Sequence, residues 1–386
     1  MKKILICASR ISHILNFHLP YISLFKEEGC QVDIAAEGTT DHPLIDHCYD
    51  LRFVKNPLSP QNLKTIRSLR AIMRDNQYTM VYSNATLAGA ALRSAVKRLP
   101  RKQRPVCIHI SHGYMFSEDG GLRSCIYRTA EKLMAKVTDT LVVMNAEDKH
   151  LAERCRLAKH IVFTDGMGLC GEQFPEITPS ERAAFRQQYG ADEHTKILLC
   201  VGEFSSRKNQ RLLIAAFSLL PSEQRMKTLL LFAGEGADKN DCQLLAERYE
   251  LLPHIRFLGQ VQDTNALYRS ADLLLSAAVM EGLPFNVMEA LYCGTPVIAS
   301  RIKGHTDLIA DGVNGLLFDV RAHDAAQQLA ERLHTVLTND TLYNNLTAHA
   351  FLDEKYQIEQ VRPALFSVLD GRRDATEIKT PEVTYP

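Results

Sequence analysis

The sequence predicts an α/β protein of two similar domains, each built on a parallel sheet, facing each other across a cleft. Three observations predict it. Short apolar runs alternate with amphipathic stretches in a strand–helix rhythm from residue 3 onward, the pattern of crossover helices winding a parallel sheet. Near Lys196 the rhythm restarts, and TKILLCVGEF repeats the character of KKILICASR at the beginning of the chain. At 386 residues the chain is long enough for two cores of ordinary size.

Taken in order, Lys3 to Ala8 is a buried first strand, residues 9–16 a loop, and 17–29 a helix with Phe17, Tyr21, Leu24 and Phe25 on one face. A second strand covers 32–36. Helices follow near 61–76, 86–98, 121–136 and 146–155, interleaved with strands at 79–83, 105–110, 140–144 and 159–164. A loose stretch from Gly171 to Pro179 separates the halves, giving domains of 1–172 and 178–357, both Rossmann-like. In the second half, an apolar strand within TKILLCVGEF and strands at 228–233, 255–258 and 272–276 alternate with helices at 208–219, 240–250 and 263–270. Helices after Ala322 cover the second sheet, and 371–386, without apolar periodicity, reads as a tail.

Composition narrows the function. Apolar residues make up 46% and charged residues 23%, ordinary for a globular chain. Formal net charge is zero, which gives no pull toward nucleic acid, but residues 1–180 hold 24 Lys and Arg against 18 acids and the remainder 21 against 27. The basic first half suits an anionic partner. Ten cysteines show neither CxxC nor zinc spacing and no signal peptide precedes them, so reduced thiols in a cytoplasmic protein are expected. No apolar run approaches the roughly 18 residues that span a bilayer.

The most informative stretch is 279–300, VMEGLPFNVMEALYCGTPVIAS. Pro284 suits the opening of a helix, Phe285 to Tyr292 has helical spacing, and Cys293-Gly294 with Pro296 ends it before the strand Val297-Ile298-Ala299. Amides at Gly282, Leu283 and Phe285 would lie at the positive end of the helix dipole, an anion site suited to phosphate. Glu281 ahead of the helix and Glu289 within it could accept hydrogen bonds from sugar hydroxyls on either side. The string EGLPFNVMEALYCGTPVIAS resembles the signature of glycosyltransferase family 4, enzymes of GT-B fold that include a bacterial exopolysaccharide and capsule type. By that resemblance Glu281 contacts the donor sugar and Glu289 the nucleotide ribose, and the last helix, about 358–370, returns to the first domain.

Other stretches take their readings beside it. The loop after the first strand lacks GxGxxG, which disfavours a dinucleotide oxidoreductase. His13, Asn16 and His18 give this loop polar handles on the acceptor side. Ile110 to Phe116 carries His112 at the mouth of a strand and resembles the family's His-Gly segment near the donor sugar. An ordinary imidazole pKa there would permit proton transfer. Val201 to Gln210 matches the family segment whose basic residues bind the donor diphosphate. Glu203 replaces its usual arginine, Lys208 keeps the lysine place, and Arg207 supplies a second cation. Gly234 and Gly236 let the backbone turn close to the nucleotide, while Phe257 and Leu258 lie in a stretch, Arg256 to Gly259, that resembles the family segment whose backbone reads the base edge. Gly166-Met167-Gly168 reads as a hinge. Arg93 to Arg104 contains six basic residues and no acid, and with helix 121–136, bearing Arg123, Arg128, Lys132 and Lys136, it could lie on an anionic membrane surface.

The resemblance implies a retaining glycosyltransferase, metal-independent because no Asp-x-Asp is present, with no cofactor. Its donor would be a nucleotide-sugar, a UDP-sugar foremost, its acceptor a glycan or lipid-linked glycan, and nucleic acid no partner. Domain closure over the cleft would exclude water. Two alternatives stay open: a non-hydrolysing nucleotide-sugar epimerase, and a catalytically silent nucleotide-sugar-binding protein, which Glu203 favours.

Overall fold

The computed structural model describes residues 1–371 apart from 55, 57, 58, 85, 115 and 117–120, so the expected tail lies outside the described residues beyond Gly371. The chain divides into two compact units, one of Met1–Gly168 with the segment from Ile358, the other of Leu169–Gln357.

The first unit holds seven strands, β1 (Lys3–Arg10), β2 (Gln31–Glu37), β3 (His47–Asp50), β4 (Met80–Asn84), β5 (Val106–Ile110), β6 (Thr140–Val143) and β7 (His160–Phe163). They pair in the order β3-β2-β1-β4-β5-β6-β7, every pair parallel. The second unit holds β8 (Lys196–Val201), β9 (Thr228–Ala233), β10 (Ile255–Gly259), β11 (Leu273–Ser276), β12 (Val297–Ser300) and β13 (Gly315–Phe318). Their order is β10-β9-β8-β11-β12-β13, again wholly parallel. Strand order reverses between β1 and β4 and between β8 and β11. The carboxyl ends of those pairs open a crevice where α/β sheets take ligands.

Burial follows from this winding. A parallel sheet covered on both faces needs strands apolar on both faces. In β8 Ile197, Leu198 and Leu199 are all inaccessible, and they divide between the clusters on the two faces. Ile197 and Leu199 join Val287 and Leu291 on one, while Leu198 joins Phe217 and Leu329 on the other.

The structure departs from the sequence reading at the margins. Strands β3 and β13, four residues each, are absent from that reading. HCYD has no clear alternation and lies half exposed at an edge, and GLLF is too short to carry a period. Residues 9–16 are not a loop: β1 runs to Arg10, and a helix, Ile11–Phe17, follows at once. A second helix, Leu19–Glu27, starts after His18 with Pro20 in its first turn, the position where proline's missing N–H costs nothing. The helix Ile358–Leu369 packs in the first unit, Phe366 ring to Phe25 ring at 4.9 Å, and Lys2 Nζ meets Asp370 at 2.7 Å.

Arg93 is not part of a basic surface. It is inaccessible on the helix Thr86–Lys97, and its guanidinium donates twice to Glu131 of the helix Leu122–Ala135, Nη1 to Oε2 at 2.7 Å and Nη2 to Oε1 at 2.8 Å. Nε donates to the Gly89 carbonyl at 3.0 Å. This fork-to-fork pair locks the two helices in one register. Removing the carboxylate alone leaves an uncompensated buried charge. Glu131→Ala is therefore expected to cost ~3–5 kcal/mol in urea unfolding, while Arg93→Met with Glu131→Leu costs much less. A single variant as stable as the parent would contradict this account.

Candidate functional site

The second unit's residues converge at the ends of β8 and β11. After β8 the chain passes Gly202, turns through Ser205 and Arg207, and enters the helix Gln210–Ser218. Asn209 takes the left-handed conformation just ahead of it, φ 55°. Buried Gln210 braces this loop, donating from Nε2 to the Glu203 carbonyl at 3.0 Å. After β11 the chain passes Val279, whose amide donates to the Arg207 carbonyl at 2.9 Å, and reaches Glu281. The two loops are thus stitched together before any side-chain charge is considered.

Glu281 is the hub. Its Oε1 receives both Arg207 Nη1 at 2.7 Å and Lys208 Nζ at 2.8 Å. The Arg207 guanidinium also donates to the Met280 carbonyl at 3.2 Å. Burial opposes charge on Glu281, but Lys208 and Arg207 outweigh it and hold the carboxyl below its ordinary range. Glu203, the departure from the family pattern, is exposed and takes no part in this triad, and Arg207 supplies the second cation instead.

The helix behind the loop is Phe285–Tyr292, with Pro284 as its extended N-cap residue (ψ 115°) and no side-chain cap. Asn286 Nδ2 donates to the Val201 carbonyl at 3.1 Å, fastening this helix to the end of β8. Glu289 accepts from the Tyr268 hydroxyl. Burial raises the Glu289 carboxyl above its ordinary value, with that hydrogen bond and Lys208 only partly offsetting it. The paired glutamates are therefore unlike: one is held ionised by two cations, the other is pushed toward its neutral form.

Gly234 and Gly236 also serve protein packing: a Cβ at Gly234 would stand 2.1 Å from the Gly202 carbonyl oxygen, and one at Gly236 would stand 2.2 Å from that of Phe204. Phe257 packs its ring on Phe232, centroids 5.4 Å apart and nearly parallel at 16°. The backbone of this stretch, which the resemblance expects to read the base edge, shifts register in the ladder between β10 and β9 between Phe257 and Gly259. Leu283 and Phe285 pack their side chains against the core, and Gly282 lies under Gly304, where a Cβ would come within 2.5 Å of the Gly282 oxygen.

Sequence reasoning missed His305. It is inaccessible at the end of β12, its ring nitrogens meeting Ser276 Oγ (3.1 Å) and the Ser300 carbonyl (2.8 Å). Burial lowers its pKa to about 4, so it stays a neutral strut behind Glu281. Its place just past a strand end, after Gly304, was the available signal.

In the first unit, His13, His18 and His112 come together near the ends of β1 and β5, while Asn16 stays exposed on its helix. His112 Nε2 lies 3.4 Å from Asn84 Oδ1. Burial lowers His112 to about 3, with His13 and His109 adding to the effect, so it does not titrate near neutrality and is no general acid or base there.

With this geometry in place, comparison with known proteins identifies the family. A model of "Glycosyl transferases group 1" matches residues 181–352. The putative glycosyltransferase EpsD of Bacillus subtilis (strain 168) is 32% identical over 335 residues, 86% of this chain and 87% of that protein. The chain belongs to the group 1 glycosyltransferases. It is an enzyme of GT-B fold, a hexosyltransferase. The lipopolysaccharide glucosyltransferase WaaG of Escherichia coli (strain K12) is 31% identical over 204 residues, 52% of this chain and 54% of that one. HepE from Anabaena, solved with UDP and glucose, shares the fold with a TM-score of 0.74 at 17% identity, over 96% of this glycosyltransferase and 100% of that chain.

The unlike glutamates give opposite pH signatures in the free enzyme. Glu281, depressed in the folded state, stabilises above its ordinary value of 4.5 and loses that contribution as pH falls through the folded pKa. Glu289, raised in the folded state, stabilises below its ordinary value of 4.5 and loses that as pH rises through the folded pKa. At pH ~7 calorimetry should therefore find Tm lowered by Glu281→Gln and raised by Glu289→Gln. Shifts of the same sign would contradict the assignment.

Proposed function

We propose that this glycosyltransferase moves a sugar, with retention, from a UDP-sugar held by the second unit to a hydroxyl of a lipid-linked precursor of a bacterial surface or capsular polysaccharide. The observation that carries the reading is the pair Arg207 and Lys208 gathered on one carboxylate oxygen at a strand-order switch, beside a helix N-terminus. In the free enzyme Glu281 stands in for an anion. A donor diphosphate, carrying more charge than one carboxylate, draws both cations to its own oxygens, and Glu281 is released to accept hydrogen bonds from the donor's sugar. Glu289, whose carboxyl burial shifts upward, meets the ribose hydroxyls.

Chemistry then needs no protein nucleophile. The bond between the anomeric carbon and the diphosphate oxygen breaks, and negative charge grows on that oxygen, where Lys208, Arg207 and the helix dipole stabilise it. The acceptor oxygen bonds to the same face of the anomeric carbon, and its proton passes to the departing diphosphate. The products are the glycoside and a nucleoside diphosphate. An epimerase would need no acceptor, so turnover that depends on one separates that alternative.

In a screen of nucleotide sugars, UDP-sugars are expected to raise Tm, in EDTA as well as without it, since arginine and lysine hold the diphosphate. Lys208→Ala should lower kcat by about 100- to 1,000-fold, the scale of losing one charge-stabilising donor. A donor shift that needs a divalent ion, or an unimpaired Lys208→Ala, would overturn the reading.

A membrane partner is favoured by a separate observation. The helix Leu122–Ala135 leaves Leu122, Ile126 and Leu133 at 80%, 60% and 48% exposure, and Lys132 is exposed among them. These positions form one stripe, and Arg98, Arg101 and Lys102 are exposed just after Lys97, whose Nζ donates to the Leu133 carbonyl at 3.4 Å. We infer that this face lies on an anionic bilayer, apolar stripe down and basic residues at the headgroups. No helix among the described residues is long and apolar enough to cross a membrane. Co-sedimentation should occur with vesicles containing phosphatidylglycerol and weaken with salt, and Leu122→Ser with Ile126→Ser should abolish it. Equal binding by that double variant would sink the idea.

A further inference from the structure

The donor chemistry leaves one feature of the first unit without a use. His13 sits on the helix Ile11–Phe17, His18 follows that helix, and His112 follows β5. Their rings cluster, His13 to His18 at 5.3 Å and His13 edge-on to His112 at 5.1 Å. One nitrogen from each lies within 4.8 Å of the others. His18 is inaccessible and neither ring nitrogen has a hydrogen-bond partner, nor has the buried Nε2 of His13. Tyr82 Oη, whose ring is 5.8 Å from His18, and Nδ2 of the neighbouring Asn84 are also buried without partners.

Buried polar atoms are almost always satisfied, and each one left bare costs about 1–3 kcal/mol. Several in one place call for a ligand. The chemistry of the rings narrows which. Three imidazoles brought together, with ring nitrogens that meet no hydrogen-bond partner, offer lone pairs to a cation. A water could satisfy one or two of them, whereas an ion takes one nitrogen from each.

We propose that His13, His18 and His112 bind one divalent transition-metal ion of the zinc class, a site independent of the donor diphosphate. Three imidazoles are a familiar set for such an ion. Tetrahedral bonds of ~2.1 Å put ligand nitrogens about 3.4 Å apart, so small ring rotations bring the cluster to bonding geometry. Asn84 Oδ1 accepts from His112 Nε2 and leaves the lone pair on Nδ1, the outer contact that sets a ligand's tautomer. Half-buried His13 leaves the fourth position reachable from solvent, for a water or a hydroxyl. The ion ties the helix that follows β1 to the mouth of β5. It departs from the sequence expectation of no metal, while leaving the second unit's diphosphate chemistry metal-free.

The test uses the whole chain stripped of metal. Titration with Zn²⁺ followed by elemental analysis should find one tightly held ion per chain and a raised Tm. Co²⁺ in its place should give the intense visible bands of a four-coordinate site. His13→Gln, at a half-buried position that tolerates a polar side chain, should weaken binding by about 100-fold or more and erase those bands. His112→Ala should do the same if folded by circular dichroism. His194→Ala, an exposed histidine of the second unit, should change nothing. Absence of a tight ion, a six-coordinate Co²⁺ spectrum, or unaltered binding in His13→Gln would overturn the proposal.

Discussion

Two cations sharing one carboxylate oxygen set the constraint on which the second unit's ligand-binding end depends. Arg207 and Lys208 belong to the loop after β8, Glu281 to the loop after β11, and these strands flank the reversal in strand order. Two like charges within reach of one atom repel each other, so they stay gathered only while an anion lies between them. Glu281 provides it when no ligand does. The supports around it are neutral and fixed: Gln210 under the first loop, Asn286 on the end of β8, and His305 wedged between β11 and β12. A charged, exchangeable centre on an uncharged frame suits a site whose occupant arrives and leaves as a polyanion.

The first unit solves a different problem. One of its buried ion pairs, Arg93 with Glu131, is closed to solvent and serves to hold one helix against another. Glu131 turns inward on Leu122–Ala135, as does Tyr127, which packs on a core cluster, while the apolar stripe of Leu122, Ile126 and Leu133 on the opposite side stays exposed.

Much of this was legible in the sequence. Alternating apolar and amphipathic segments carry both parallel sheets, because crossover winding forces that alternation on the chain. The Glu281-to-Ser300 string carries the loop, the helix and the family. Edge strands escaped notice, since β3 and β13 are too short for a period to emerge. Partnerships were mostly beyond reach: Arg93 looks like its basic neighbours until burial shows otherwise, and although Arg207 was legible as a second cation, its pairing with Glu281 was not. Proton affinity was misread for His112, because a strand-end position suggests an ordinary imidazole, while the surrounding histidines and the loss of water are properties of the folded unit. His305 is silent in sequence for a related reason, its role being set by Ser276 and Ser300 on neighbouring strands.

The glycines after β8 and β9 carry a lesson for comparing family members. Gly234 and Gly236 are demanded by backbone meeting backbone, with no room for one further carbon. A descendant that had lost catalysis altogether would still need both to fold. Their retention in a relative therefore marks ancestry and architecture, whereas no such backbone demand falls on Lys208 or Glu281, whose retention would follow the proposed donor chemistry.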